Sequence, residues 1–262
     1  MRMSLELDLA GRRAVVTGAS AGIGAGIARR LAAEGVHLYL SARSKERLEA
    51  LATELHGAHG VEVTPLALDL GSSDAQQELA AAAAAADILV NNAGAIPSGT
   101  LEQVDDATWR TAWDLKVFAT INLSRALYPS MRERGRGVIL NVIGTAADRP
   151  VAGYIAGSTA NAALVAFTRA LGGDSPRDGI RVVGLSPGPV ATERLRELLG
   201  QMAAKQLGDA SRFAEVLGPL PFDRMASVDE VADLAAFLIS DRSAYTNGTI
   251  VTLDGGLLNR DS

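Results

Sequence analysis

Thr17-Gly18-Ala19-Ser20-Ala21-Gly22-Ile23-Gly24 follows the apolar run Arg13-Ala14-Val15-Val16 and opens a helical stretch from Ile23 to Glu34. Glycines at these places let the chain turn tightly off a strand. They also let backbone N–H groups approach a pyrophosphate, with the N-terminus of the next helix behind it. Position makes the trio informative: a strand before it, a helix after it, near the start of the chain.

The same alternation repeats outward from that turn. Val36 to Ser41 is a second apolar run, followed by the charged helix Lys45 to His56. Val61 to Leu66 is a third, then an alanine-rich helix that takes in Ala80 to Ala86, then Ile88-Leu89-Val90. A long helical segment from Asp105 to Arg134 leads to Val138-Ile139-Leu140. A helix from about Gly153 to Leu171 leads to Ile180 to Leu185, and Val228 to Ile239 precedes a last strand, Thr249 to Leu253. The strands are apolar without alternation, as expected when helices cover both sheet faces. Strand–helix alternation at this spacing predicts βαβ units, hence an α/β fold with a parallel, doubly wound sheet. No linker or composition break divides residues 1–262, so one domain is expected.

Composition excludes several classes. The 262 residues carry 25 Lys+Arg against 30 Asp+Glu, a net charge of −5. A nucleic-acid binder would need a basic face to displace counterions. With no cysteine there is no disulfide scaffold, cysteine nucleophile or thiolate metal site. His37, His56 and His59 lack metal-ligand spacing, and no metal is expected. The N-terminus, Met1 to Glu6, has no apolar run behind its one basic residue, and no stretch is long and greasy enough to span a bilayer. These features point to a cytoplasmic protein without nucleic-acid or membrane partners. A hydrolase on a similar sheet lacks its G-x-S-x-G elbow.

The glycine spacing is G-x-x-x-G-x-G. Asn91-Asn92-Ala93-Gly94 ends the fourth strand, Ser186-Pro187-Gly188-Pro189-Val190-Ala191-Thr192 follows the sixth, and Leu253-Asp254-Gly255-Gly256 closes the last. In this order the four motifs resemble the short-chain dehydrogenase/reductase family over almost the whole chain. The resemblance implies a Rossmann-type fold with a seven-stranded parallel sheet. It implies that Gly18, Ser20, Ala21, Gly22, Ile23 and Gly24 line the pyrophosphate and ribose path, and that Asp69 and Leu70 hold the adenine. Asn92, Ala93 and Gly94 would lie along the cofactor, and Pro187, Gly188, Val190 and Thr192 would border the nicotinamide. NAD users in the family usually carry Asp where this chain has Ala42. Here Arg43 follows instead, and a guanidinium matches a phosphate, so NADP is expected over NAD. Ala21 stands where NADP users often place Lys or Arg. The segment Glu193 to Asp223 would cover the substrate; Leu195, Leu198, Leu199, Met202, Phe213, Val216, Leu217, Leu220 and Phe222 form an apolar stripe there, most of it expected to pack onto the domain core, and any that face the pocket would give the substrate an apolar body. Arg149 would meet an acidic group or solvent. Family members usually form homodimers or homotetramers through their middle helices, and Ala160, Ala163 and Ala166 suit such contact.

The family's catalytic pattern is changed at all four places. Gly144 falls on the Ser, Gly157 on the Tyr, Asn161 on the Lys and Lys116 on the Asn. Reading Tyr154 itself as the family Tyr needs three extra residues in the helix. That insertion would advance the helix by about 300° and turn its packed face by about 60°. The gapless register makes Lys116 and Asn161 look like the family's Asn and Lys exchanged between facing helices. Tyr154, three residues before Gly157, would use the room that glycine leaves, and Lys116 would depress its pKa. Thr145 or Ser158 would replace the missing serine hydroxyl. Two functions stay open at this point. One is an oxidoreductase acting on a carbonyl or secondary alcohol through Tyr154, Lys116 and Asn161. The other is a catalytically silent NAD(P)-binding sensor or assembly partner.

Overall fold

The structure, a computed structural model, describes residues 6–260 apart from the side chains at 201, 214 and 217. Met1 to Leu5 and the Leu217 side chain, both used in the sequence reading, lie outside the described residues.

Seven strands form one sheet: β1 (Arg13–Thr17), β2 (His37–Ala42), β3 (Val63–Ala67), β4 (Ile88–Asn91), β5 (Gly137–Val142), β6 (Ile180–Pro187) and β7 (Ile250–Leu253). All pairings are parallel and the order is β3-β2-β1-β4-β5-β6-β7. The chain winds outward from β1 in one direction and from β4 in the other. The crevice at the carboxyl ends of β1 and β4 is therefore the topological switch point, where such sheets take ligands.

The helices are α1 (Gly22–Ala33), α2 (Lys45–His59), α3 (Ser73–Ala82), α4 (Asp106–Trp113), α5 (Ala119–Glu133), α6 (Ile155–Asp174), α7 (Glu193–Leu207), α8 (Phe213–Leu217) and α9 (Val228–Ile239). Successive strand residues point to opposite faces, so β1 sends Ala14 and Val16 one way and Val15 the other. Ala14 and Val16 pack with Ile27 and Leu31 of α1, Leu48 of α2 and Val231 and Ala235 of α9. Val15, Leu89, Ile139 and Val182 pack with Leu79, Leu123 and Leu127. A third apolar cluster, Ile96, Val104, Ala112, Val117, Ile143, Ala156, Ala160 and Leu164, lies under the carboxyl end of the sheet and packs α4, the turn between α4 and α5, and α6 together there.

The structure corrects several sequence expectations. Helix α3 stops at Ala82, and Ala83 to Ala86 is a turn rather than more helix. Alanine's helix propensity loses here to tertiary geometry: the chain must reverse so that the Asp87 N–H can join the Arg13 carbonyl, 2.8 Å away. The long middle helix is not uniform. A π-helical turn, Asp114–Phe118, joins α4 to α5 and carries Lys116. The Thr120 hydroxyl donates to the Lys116 carbonyl at 2.8 Å, a side-chain bond that supports the widened turn. Helix α6 begins at Ile155, not Gly153, and Tyr154 is the residue preceding its first turn. Ala160 is fully buried in the third cluster, so it cannot share an outer face with the exposed Ala166. Among the described residues no helix is long and apolar enough to cross a membrane.

Candidate active site

The glycine-rich turn is shaped by close backbone approach. Gly18 has φ +66°, and a Cβ there would fall 2.9 Å from Asn92 Nδ2. A Cβ on Gly24 would overlap the Gly18 carbonyl oxygen. Thr17, which sequence reasoning passed over, ties this turn to the loop after β4. Its hydroxyl accepts from Asn92 N at 2.9 Å and Ala93 N at 3.0 Å and donates to the Val90 carbonyl at 3.2 Å. The Asn92 side chain donates to the Thr17 and Gly18 carbonyls at 3.0 and 3.3 Å, so it braces the turn. Gly22, half-buried like Ser20 and Ile23, abuts Thr192, whose methyl lies 3.3 Å from where a Gly22 Cβ would sit. Thr192 accepts from Leu195 N at 3.2 Å and caps α7.

Other expected contacts are distributed unevenly. Ala21 and Asp69 are exposed. The Leu70 side chain is 2% exposed and lies in the core, because the chain turns inward there to enter α3; only its backbone can face a ligand. Val190 is likewise buried, as is Pro187, while Gly188 is half-buried. Arg43 is exposed at the end of β2 and forms no ion pair among the described residues. Arg149 is exposed. In residues 193–223, Leu199 is buried, Leu195, Leu198 and Met202 are half-buried, and Phe222 is 81% exposed.

Lys116 reaches from the π-helical turn to the carboxyl end of β5. Its ammonium donates to the Ile143 carbonyl at 3.1 Å, and its side chain runs along Gly94. Desolvation, with Arg194 nearby, lowers its pKa from 10.5 to about 8. Arg194 was not read from the sequence. It lies in the first turn of α7 and donates to the Gly94 carbonyl at 2.9 Å, crossing the crevice. Only its place two residues after the Thr192 cap could have drawn attention to it.

The Tyr154 ring packs directly onto Gly157, where any Cβ would overlap its Cε1 and Cζ atoms. Its backbone pairs with Gly99 of the loop after β4. Asn161 is 3% exposed and its amide lies beside Gly144, 3.4 Å from where a Cβ would stand. Among the described residues the Asn161 Oδ1 has no hydrogen-bond partner. Gly144 has φ 139° and ψ 144°, a conformation essentially confined to glycine. Two expectations fail here. Burial pushes the Tyr154 hydroxyl up, and the charge that opposes the rise is Arg194, not the Lys116 that the sequence suggested. Ser158 cannot stand in for a serine at 144, because its hydroxyl accepts from Val151 N at 3.0 Å and holds the loop before α6. Thr145, half-buried beside Gly144, is the hydroxyl left on that side.

The Gly157 contact has a measurable consequence. Glycine to alanine inside a helix normally stabilises by about 0.5–1 kcal/mol. Gly173→Ala, in open space on the same helix, should do so. Gly157→Ala should instead destabilise by about 1–3 kcal/mol, since its methyl overpacks against the Tyr154 ring. Urea unfolding of the two variants checks this, and equal stabilisation would place the ring elsewhere.

Around the crevice lie the glycine-rich turn, an ammonium and a guanidinium, while the Tyr154 phenol and the buried Asn161 amide belong to the start of α6 beside it. Among the described residues no group of three or more His, Cys, Asp or Glu is placed to hold a metal. The chain matches the short chain dehydrogenase family over residues 12–203. It is 35% identical over 260 residues to galactitol 2-dehydrogenase (L-tagatose-forming) of Cereibacter sphaeroides, covering 97% of each chain. It is 31% identical over 257 residues to dehydrogenase/reductase SDR family member 4 of Oryctolagus cuniculus, covering 96% of this chain and 95% of that one. The L-sorbose reductase of Gluconobacter frateurii, solved with NADPH and L-sorbose, superposes with a TM-score of 0.92 at 32% identity, covering 98% of this chain and 100% of that one.

Proposed function

The chain belongs to the short-chain dehydrogenase/reductase family of NAD(P)-dependent oxidoreductases, and on that premise we propose that it prefers NADP and uses a relocated proton-transfer group, Tyr154. Its substrate is a small carbonyl compound or secondary alcohol. Residues 1–262 act as one dinucleotide-binding domain, with about 193–223 covering the substrate, as a cytoplasmic homodimer or homotetramer. The observation that carries the reading is the Tyr154 ring over Gly157. The phenol absent at 157 is supplied one turn earlier, into the space that glycine leaves.

The residues present fit a dinucleotide. The cradle formed by Gly18, Gly22 and Gly24 admits no side chain, and α1 presents its N-terminus behind it. Arg43 stands exposed at the end of β2, without an ion pair among the described residues, where a ribose phosphate would be met. When bound, the nicotinamide supplies the hydride. Tyr154, kept neutral by burial, gives a proton to a carbonyl oxygen and is left as the phenolate; in the reverse direction that phenolate takes the proton from an alcohol. Lys116 places a positive charge beside Gly94 and offers its remaining N–H groups to a ribose. Asn161 offers an acceptor to a hydroxyl or an ordered water. Thr17 and Asn92 hold the two sides of the crevice at fixed spacing.

A crystal structure with NADP+ tests the reading. The Tyr154 hydroxyl is expected within about 5 Å of nicotinamide C4, with the Lys116 ammonium in hydrogen-bond reach of the ribose or the phenol. A hydroxyl pointing away from C4 would overturn it. The silent-binder reading is favoured by one observation: the backbone at Gly144 cannot easily accept the family's serine. It predicts NADP binding with no hydride transfer to any carbonyl.

Cofactor preference is tested separately. Arg43→Ala should weaken NADPH binding roughly tenfold to a hundredfold, the loss of one charge-assisted phosphate contact, and leave NADH unchanged. Fluorescence titration of both nucleotides reads this. Parallel loss for NADH, or no loss, would remove Arg43 from the phosphate site.

A further inference from the structure

Arg194 and Lys116 converge on Gly94 from opposite walls of the crevice. Arg194 donates to its carbonyl at 2.9 Å, and the Lys116 ammonium lies 3.6 Å from where its Cβ would be. Among the described residues neither cation has a carboxylate partner. The acid next in the chain, Glu193, turns away to Arg47 at 3.8 Å. Elsewhere guanidiniums of this chain find acids readily: Arg29 meets Glu54, and Arg224 meets Glu230, each at 2.7 Å.

Arg194 is exposed, so water screens part of its repulsion with Lys116, but two like charges brought together without a counter-ion still cost free energy. The placement is costlier still because Arg194 sits in the first turn of α7, where the helix dipole already favours negative charge. One anion between the two cations would relieve both effects. A second observation marks the same floor as polar and unsatisfied. Asn161, 3% exposed, holds an acceptor oxygen without a donor beside Gly144, the residue after the carbonyl that Lys116 contacts.

We propose that Arg194 and Lys116 hold the carboxylate of the substrate, which narrows its class to small keto acids and hydroxy acids. The proposal rests on the oxidoreductase reading, with the dinucleotide bound along the glycine cradle. Arg194 contributes the planar fork that matches a carboxylate, and Lys116 a point charge beneath it. An anion could also come from the diphosphate of the cofactor, and the test separates the two sources.

The experiment follows the Arg194 Nε–Hε resonance by NMR while acetate, or neutral acetamide, is titrated at constant ionic strength. It is run on the free protein and on protein saturated with NADP+. The expected result is saturable acetate binding in the NADP+ complex, with Kd about 1–10 mM, and no response to acetamide. Arg194→Gln should weaken acetate binding at least tenfold, and Arg194→Lys should recover part of it. The lysine variant controls for damage to α7. Acetate binding that appears only without NADP+ and is competed away by it would assign the pair to the cofactor's phosphates and overturn the proposal. No acetate response beyond that of acetamide would overturn it too. A protein that binds no NADP+ would sink the oxidoreductase reading instead, a result read independently of the acetate arms.

Discussion

Tyr154→Phe should reduce hydride transfer by about a hundredfold to ten-thousandfold while NADPH affinity stays within twofold. The ring remains, so its packing on Gly157 and the backbone pairing with Gly99 are kept. Only the hydroxyl is lost, and with it the proton donor. The assay is NADPH oxidation on a carbonyl compound found by screening ketoses and keto acids, with nucleotide binding read by fluorescence. Because burial raises the hydroxyl's pKa, the wild-type rate of carbonyl reduction should show no loss from phenol ionisation through the neutral range. Unchanged turnover in the variant would move the proton donor elsewhere, with Thr145 the nearest remaining hydroxyl on the Gly144 side.

Lys116→Met should stabilise the fold at pH 7 and lower its activity. The Lys116 ammonium is held at about 8 against an ordinary 10.5 by desolvation and by Arg194. A lowered lysine pKa means that the folded state binds fewer protons than the unfolded one between those values. The cost of burying the charge is therefore present in full below about pH 8. It shrinks as pH rises and is gone above about 10.5. That interval corresponds to about 3 kcal/mol at most. The side chain keeps some contact with water, so about 1–2 kcal/mol is the expected gain for methionine, which fills a similar volume. Urea unfolding from pH 6 to 10 should show the difference between variant and wild type closing as pH rises. A difference that is flat with pH would mean that the ammonium is solvated. Any limb near pH 8 in the wild-type rate profile should vanish with the lysine.

Much of this was legible because it is local. The apolar runs of β1, β4, β5 and β6 identify buried parallel strands whatever surrounds them, and the glycines from Gly18 to Gly24 announce a tight turn between strand and helix. The gapless register through Ala162, Ala163 and Leu164 was enough to set Tyr154, Gly157 and Asn161 on one stretch of chain. The end of α3 at Ala82 was not legible, because alanine favours helix until the sheet requires a turn. Nor was the buried position of Ala160, which depends on how α6 lies against the third apolar cluster.

By itself the sequence determined the strand–helix alternation and the glycine-rich turn, since each is a property of neighbouring residues; it also set Gly144, Gly157, Asn161 and Lys116 where the resemblance puts the catalytic positions. Tertiary structure alone decided the surroundings of those residues. It put the Tyr154 ring into the space at Gly157, turned the Gly144 backbone into a conformation reserved for glycine, and used Ser158 to hold a loop. It brought Arg194, 78 positions along the chain from Lys116 in this numbering, to the same carbonyl neighbourhood at Gly94. The physical reason is range. Turn and strand preferences act over a few residues, whereas desolvation and like-charge proximity exist only once distant segments have packed.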